Sequence, residues 1–262
     1  PRVPPSTTCH PPSTTIILLI LLILLPHSRA MATMQQGGTC RAAVPGPDQF
    51  SSEPDFEAST AYLSAEELPV RSGAKPSTQS CLPHAQMTEQ SPDDVMAALL
   101  EGAKHLTEAK ALAGRSTVSM PSTFPAFHLR PSRGSMPDEA SMTPGGPSRG
   151  REFAHIHTLY KDDEHADVIS AKASGVPWQG YQGGGQGSLH LCLSLKDAAE
   201  VVRTGWGEPH LLAGKEMGGG QRLARGVLLV YAPRTMDEVH TVLQILKASL
   251  DFADSMSSGD GP

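Results

Sequence analysis

Basic clusters are missing from this sequence. Its 262 residues carry 21 Lys and Arg against 27 Asp and Glu, a formal charge of −6. Nucleic-acid binding draws much of its affinity from neutralised phosphates, so this chain is a poor candidate for a dedicated nucleic-acid binder. CxxC pairs are missing too. Cys9, Cys40, Cys81 and Cys192 lie far apart, which excludes a structural zinc knuckle and argues against a disulfide framework. No apolar run reaches the ~20 residues of a bilayer-spanning helix; Ile16–Leu25 stops at ten. Hydrophobic residues make up 39%, below the usual ~45–50% (a figure that also counts glycine). The chain is rich instead in glycine and proline, with 25 and 23. Part of it is therefore not expected to join a core.

The run Ile16–Leu25 fits the h-region of a signal peptide, with Ser28-Arg29-Ala30 as a small-residue cleavage site. The competing reading is an upstream extension of the frame, with translation starting at Met31. The first places the protein in a secretory or membrane-associated setting, the second in the cytoplasm. Both set residues 1–30 apart from the fold. Residues 31–90 are rich in Pro, Ser, Gln and Glu and show no sustained period. Such a stretch buries too little apolar area to offset its chain entropy, and it reads as a long disordered arm.

Folding is expected over 91–255. Ser91-Pro92-Asp93-Asp94 reads as a helix start, with Ser at the N-cap and Pro at the first helical position. Val95, Met96, Leu99, Leu100, Ala103, Leu106, Ala109 and Leu112 continue an amphipathic pattern towards Gly114 as the stop. A short extended stretch is expected at 124–130, a Pro/Gly/Ser loop over 131–150, and a denser core over 151–254. Within that core 151–158 reads as a strand and 160–187 as a Gly-rich inserted loop. Leu189, Leu191 and Leu193 alternate with Ser188, His190, Cys192 and Ser194, a half-buried strand. Ser194 caps a helix with Asp197 at N3 and Gly205 as its stop. Residues 225–231 read as a further strand, and Thr235-Met-Asp-Glu238 as the capping box of a last helix. Consecutive strands without intervening helices predict an α+β fold, a small antiparallel sheet with packed helices.

The candidate chemistry is a set of histidines. His155 and His157 are two apart on one strand and so share a face. His190 lies on the next strand, and His210 follows in the turn Gly205-Trp206-Gly207-Glu208-Pro209-His210. Arg234 ends the strand that contains Tyr231. Unpaired buried polar groups cost ~1–3 kcal/mol each, so a face carrying several imidazoles, an Arg and a Trp is an unusual one to bury.

Four motifs in order carry a resemblance: Arg-Glu-Phe-Ala-His-Ile-His at 151–157, Ser-Leu-His-Leu at 188–191, Gly-Trp-Gly-Glu-Pro-His-Leu-Leu-Ala-Gly at 205–214, and Tyr-Ala-Pro-Arg at 231–234. Together they resemble the luciferase-domain family, which includes the luciferases of bioluminescent fungi. The likeness covers about 151–254 well, 91–132 weakly and 1–90 not at all. It implies an oxidation of a hydroxylated styryl-pyrone by O2, releasing CO2 and light, without a known cofactor. The residues permit that chemistry. An enol or phenol must lose a proton before it passes an electron to O2, and histidine is a suitable base near neutral pH. His155, His157, His190 and His210 are the base or proton-relay candidates; Arg234 is either a holder of the developing anion or only the partner of Glu238 four residues on. Trp206, Glu208 and Tyr231 are candidates for holding a small aromatic substrate. The chain departs from the family in its long 160–187 loop, in Leu211 where the family has Pro, and in having no full-length equivalent of the family's N-terminal membrane-anchoring helix.

Two other readings stand beside this one. A metal held by His155, His157 and His190 is chemically reasonable for imidazoles from two strands. It lacks the cupin pattern, in which Glu follows the HxH pair, since Lys161 and Asp162 occupy those positions. A non-enzymatic ligand-binding or interaction module would use the same sheet without turning over a ligand. No feature specifies an oligomeric state or decides membrane association.

Overall fold

The computed structural model describes residues 48–64, 68–80, 84–116, 124–130, 140–142, 151–157, 187–216 and 222–258. The Ile16–Leu25 run and the loop over 160–186 lie outside them. Four helices and six strands follow in the order α1 (Asp48–Ser51), α2 (Asp93–Thr107), β1 (Ala111–Arg115), β2 (Pro125–Leu129), β3 (Glu152–Ile156), β4 (Leu189–Cys192), α3 (Leu195–Arg203), β5 (Gly207–Pro209), β6 (Val227–Val230) and α4 (Met236–Ser258).

All six strands join one antiparallel sheet of order β1-β2-β3-β4-β6-β5. The α+β class expected from the strand run is what forms. Residues 205–210, expected to be a rigid turn, include β5 at the sheet edge. Glycine is required there. A Cβ at Gly207 would lie 2.6 Å from the Leu229 carbonyl oxygen and 3.3 Å from Val201 of α3. Gly205 ends α3 at φ +82°, a backbone that L side chains rarely adopt.

The strand alternation sorts the two faces. Leu189 and Leu191 enter the main core with Leu228, Val230, Ile245 and Leu246. Burying each such side chain contributes about 1.5–3 kcal/mol. His190 and Cys192 point to the other face, where Cys192 packs in a small cluster with Met142, Leu223 and Val227. Helix α4 covers the leucine face and packs against α2. Its start is held as the sequence implies, the Glu238 amide donating to Thr235 Oγ1 at 3.2 Å.

Helix α2 differs from expectation at both ends. The Ser91 hydroxyl does not cap it and instead donates to the Pro233 carbonyl at 2.6 Å. The helix stops at Thr107, and Gly114 lies in β1, opposite Ala126. Past the stop, the Lys110 amide donates to the Thr107 carbonyl at 3.1 Å and its ammonium reaches Asp251 and Asp254 of α4 at 3.1 and 2.9 Å. Leu112, which continued the helical period, is exposed.

The stretch expected to be a disordered arm is attached wherever it is described. Phe50 is buried in the main core. The Asp197 carboxylate, at N3 of α3, accepts the Tyr62 and Leu63 amides at 3.0 Å and the Ser194 hydroxyl at 2.8 Å. Farther on, the Arg71 amide donates to the Thr204 carbonyl at 2.8 Å, and Gln86 Oε1 accepts the Ala232 amide at 2.9 Å. Polar anchors hold this segment, and anchors of that kind leave no apolar period in the sequence.

Candidate active site

On the sheet face turned away from α4, His155 of β3 lies directly opposite His190 of β4. His157 lies one strand repeat beyond His155. The three ring centroids are 5.2, 5.1 and 4.5 Å apart for the pairs 155–157, 155–190 and 157–190. His210, just past β5, brings its ring within 4.7 Å of His190. A fifth ring, His84, comes from the segment that roofs this face, 5.2 Å from His210 and 5.7 Å from His190. Phe124 closes the other side, 4.8 Å from His157. His84, His155, His157 and His190 are buried, and His210 is half-buried. The four histidines singled out from the sequence do converge.

A break in strand register supplies their first carboxylate. Phe127 pairs with Ala154 but His128 pairs with Glu152, so Phe153 is an extra residue in β3. Regular alternation would put Glu152 and His155 on opposite faces. The bulge brings them together, and Glu152 Oε1 lies 2.9 Å from His155 Nδ1 and accepts the Ser116 hydroxyl at 2.7 Å. His155 Nε2 in turn lies 3.2 Å from His190 Nδ1. A carboxylate only accepts, so a neutral His155 carries its proton on Nδ1, and its Nε2 accepts from His190 Nδ1–H. The tautomers are thereby ordered along Glu152–His155–His190, leaving a lone pair on His190 Nε2. His157 Nδ1 is placed by the Ser188 hydroxyl at 3.0 Å.

Glu208 is the second carboxylate. Its Oε1 meets His84 Nε2 at 3.0 Å and accepts the Thr78 hydroxyl at 2.6 Å; its Oε2 meets Lys75 at 2.9 Å and the Tyr231 hydroxyl at 2.9 Å. Burial alone would raise its pKa. The hydrogen bonds from His84, Thr78 and Lys75 outweigh that and lower it to about 2. Tyr231 is pushed up, by burial first and then by Glu208. Glu208 and Tyr231 are thus engaged with the protein itself. So is Trp206, whose Nε1–H donates to the Pro69 carbonyl at 2.6 Å while Arg71 lies over its ring.

Arg234 stands apart from the imidazoles. Its guanidinium pairs with Glu238 and with Glu89, and donates to the Ser72 carbonyl at 2.7 Å. It secures the start of α4 and the roofing segment.

Three of the histidines are held neutral. His157 and His190 are pushed well below the ordinary value of 6.5, by burial first and then by neighbouring imidazoles. His210 is lowered to about 3, by burial and then by His84, His155 and Lys215. Such a cluster offers unprotonated nitrogens at neutral pH. One ring nitrogen from each member of two trios, His84/His190/His210 and His155/His157/His190, lies within 4.8 Å of the others in its trio. A cavity of about 530 Å³ beside Tyr62, Leu195, Arg225 and Phe252 is lined by no histidine.

Sequence reasoning missed His84 and Glu152. His84 lies in a stretch whose composition resembles an unfolded arm. Glu152 is visible next to His155, but no residue pattern marks the bulge that turns it.

Comparison with known proteins places this face in a family context. Residues 183–249 match the family model of the luciferase domain. Proteins named luciferase from Armillaria gallica and Armillaria mellea are each 36% identical over 72 residues, and one from Neonothopanus nambi is 35% identical over the same length. Each match takes in 28% of this chain, which spans about a quarter (26%) of each relative's length. No solved structure gives a match. Among the described residues no helix is long and apolar enough to cross a membrane.

Proposed function

We propose that this chain, whose residues 183–249 match the luciferase-domain family model, oxidises a phenolic or pyrone small molecule with O2. The reaction would start when a histidine of the nest takes the substrate's hydroxyl proton. The observation that carries the reading is the Glu152–His155–His190 chain of hydrogen bonds, which ends in a buried lone pair. When His190 Nε2 accepts a proton, its Nδ1 proton passes to His155 Nε2. The positive charge then rests against the Glu152 carboxylate. His155 and Glu152 therefore act through His190, as positioning and charge-stabilising groups.

The lowered proton affinity of His190 is compatible with the role. It comes from lost hydration and from repulsion among imidazoles. A phenolate or enolate forming beside the ring replaces repulsion with attraction and restores the affinity where it is needed. The deprotonated substrate is electron-rich enough to reduce O2, and the surrounding apolar and imidazole surface excludes water. His210, the least covered ring, marks the side of approach.

The test is O2 uptake by the purified full chain with hispidin-type pyrones. The expected result is turnover that falls about 10²–10⁴-fold in His190→Ala, the usual worth of a positioned base, and by less in His155→Ala. Tight pyrone binding with no O2 uptake would replace the oxidase with a ligand-binding module.

A further inference from the structure

We propose that His84, His190 and His210 form a binding site for one divalent transition-metal ion. Two of the three rings present open lone pairs. His84 uses Nε2 to donate to Glu208, and its buried Nδ1 has no hydrogen-bond partner among the described residues. His190 uses Nδ1 towards His155, and its buried Nε2 is likewise without a partner. A buried polar atom left this way is costly, and two together call for a shared occupant. A cation accepts electron pairs from both nitrogens and from a third ring. Three imidazole ligands, completed by an oxygen ligand such as water, suit zinc, cobalt, copper or ferrous iron.

The outer contacts are those a metal ligand needs. A coordinating histidine is aimed and made more basic when its other N–H is held by a carboxylate or by a group backed by one. His84 has Glu208 in that place. His190 has His155, itself held by Glu152. The same logic disfavours the trio His155, His157 and His190. Both nitrogens of His155 are engaged, so that ring has no lone pair to give. His210 is the weakest of the three ligands. Its Nδ1 accepts the Leu212 amide at a long 3.2 Å, and coordination through Nε2 requires that contact to give way. One nitrogen of each ring lies within 4.8 Å of a nitrogen of the other two. Tetrahedral zinc with bonds of ~2.0–2.1 Å needs them at about 3.4 Å, a closure within reach of small ring rotations.

The site does not rest on the oxidation reading. It does claim the same nitrogen, so a metal on His190 Nε2 would displace that atom from the role of base. The test uses the full chain, stripped with EDTA and titrated with Co2+ and with Zn2+. One equivalent is expected to bind, and the Co2+ form should show the visible bands of a four-coordinate site. His84→Gln and His190→Gln should lose stoichiometric binding. His210→Ala should weaken it, and Glu208→Gln should weaken it about 10–100-fold. His105→Ala, on the exposed side of α2, should leave it unchanged. Thermal melts confirm that each variant is folded, and His210→Ala, at the half-buried ring, serves if the buried variants are not. Failure of the folded wild type to take up one equivalent would overturn the proposal, as would binding indifferent to His84→Gln and His190→Gln. Uptake of O2 by the metal-free protein is read separately, so failure of the metal site leaves the base reading standing.

Discussion

Mild acid should unfold this protein through its own histidines. His157, His190 and His210 are held far below their unfolded value of ~6.5. Above that value the rings are neutral in both states and stability does not depend on them. As pH falls below it, the unfolded chain binds protons that the folded chain refuses, and stability is lost. Each ring contributes about 1.4 kcal/mol per pH unit in that window, so the three together remove about 4 kcal/mol between pH 7.5 and pH 5.5. That is a large share of the ~5–15 kcal/mol of a typical domain. Glu208 does not blur the window, because its loss begins only near its unfolded value of ~4.3 and continues towards about 2. Urea unfolding at both pH values, with EDTA present to remove any metal, reads the difference by linear extrapolation. His157→Gln should cut the acid loss by about a third, and His105→Gln should leave it intact. A wild-type loss below about 1 kcal/mol would refute the neutral nest.

Two further outcomes test the frame around it. Gly207→Ala forces a methyl group against the Leu229 carbonyl oxygen and α3, and should lower stability by about 1–3 kcal/mol in urea melts; an unchanged midpoint would show that β5 yields. Asp197→Ala strips the Tyr62 and Leu63 amides of their acceptor, and limited chymotrypsin digestion should then cut at Tyr62 early. A digest identical to wild type would mean that the remaining anchors, the buried Phe50 and the Arg71 and Gln86 hydrogen bonds, hold the segment without Asp197.

The elements that were legible in the sequence are those whose residues make the decision locally. Leu189-His190-Leu191 states its own alternation, and Ser194 with Asp197 states its own cap. Thr235 and Glu238 do the same for α4. The convergence of His155, His157 and His190 followed from strand periodicity once two strands were placed side by side. What was not legible depends on partners distant in the chain. Helix α2 ends at Thr107 and the chain then pairs with β2, and the helical spacing of Leu112 gives no hint of it. Arg234 permits two sequence readings, an anion holder or a partner of Glu238 one helical turn on, and the second is what forms; its remote partner Glu89, on the roofing segment, has no local signal. The bulge at Phe153 is invisible in residue types, yet it turns Glu152 towards His155.

The imidazole nest is assembled from well-separated stretches of chain. Only His190 and His210 fall inside the 183–249 match; His84, His155, His157 and Glu152 come from upstream. A fragment trimmed to the family boundary would keep the floor of the site and discard its ceiling and one wall. Fragments and chimeras of this protein therefore need to start ahead of α1, and a relative's catalytic competence is better judged by whether it can supply counterparts of those upstream rings than by percent identity across the shared stretch.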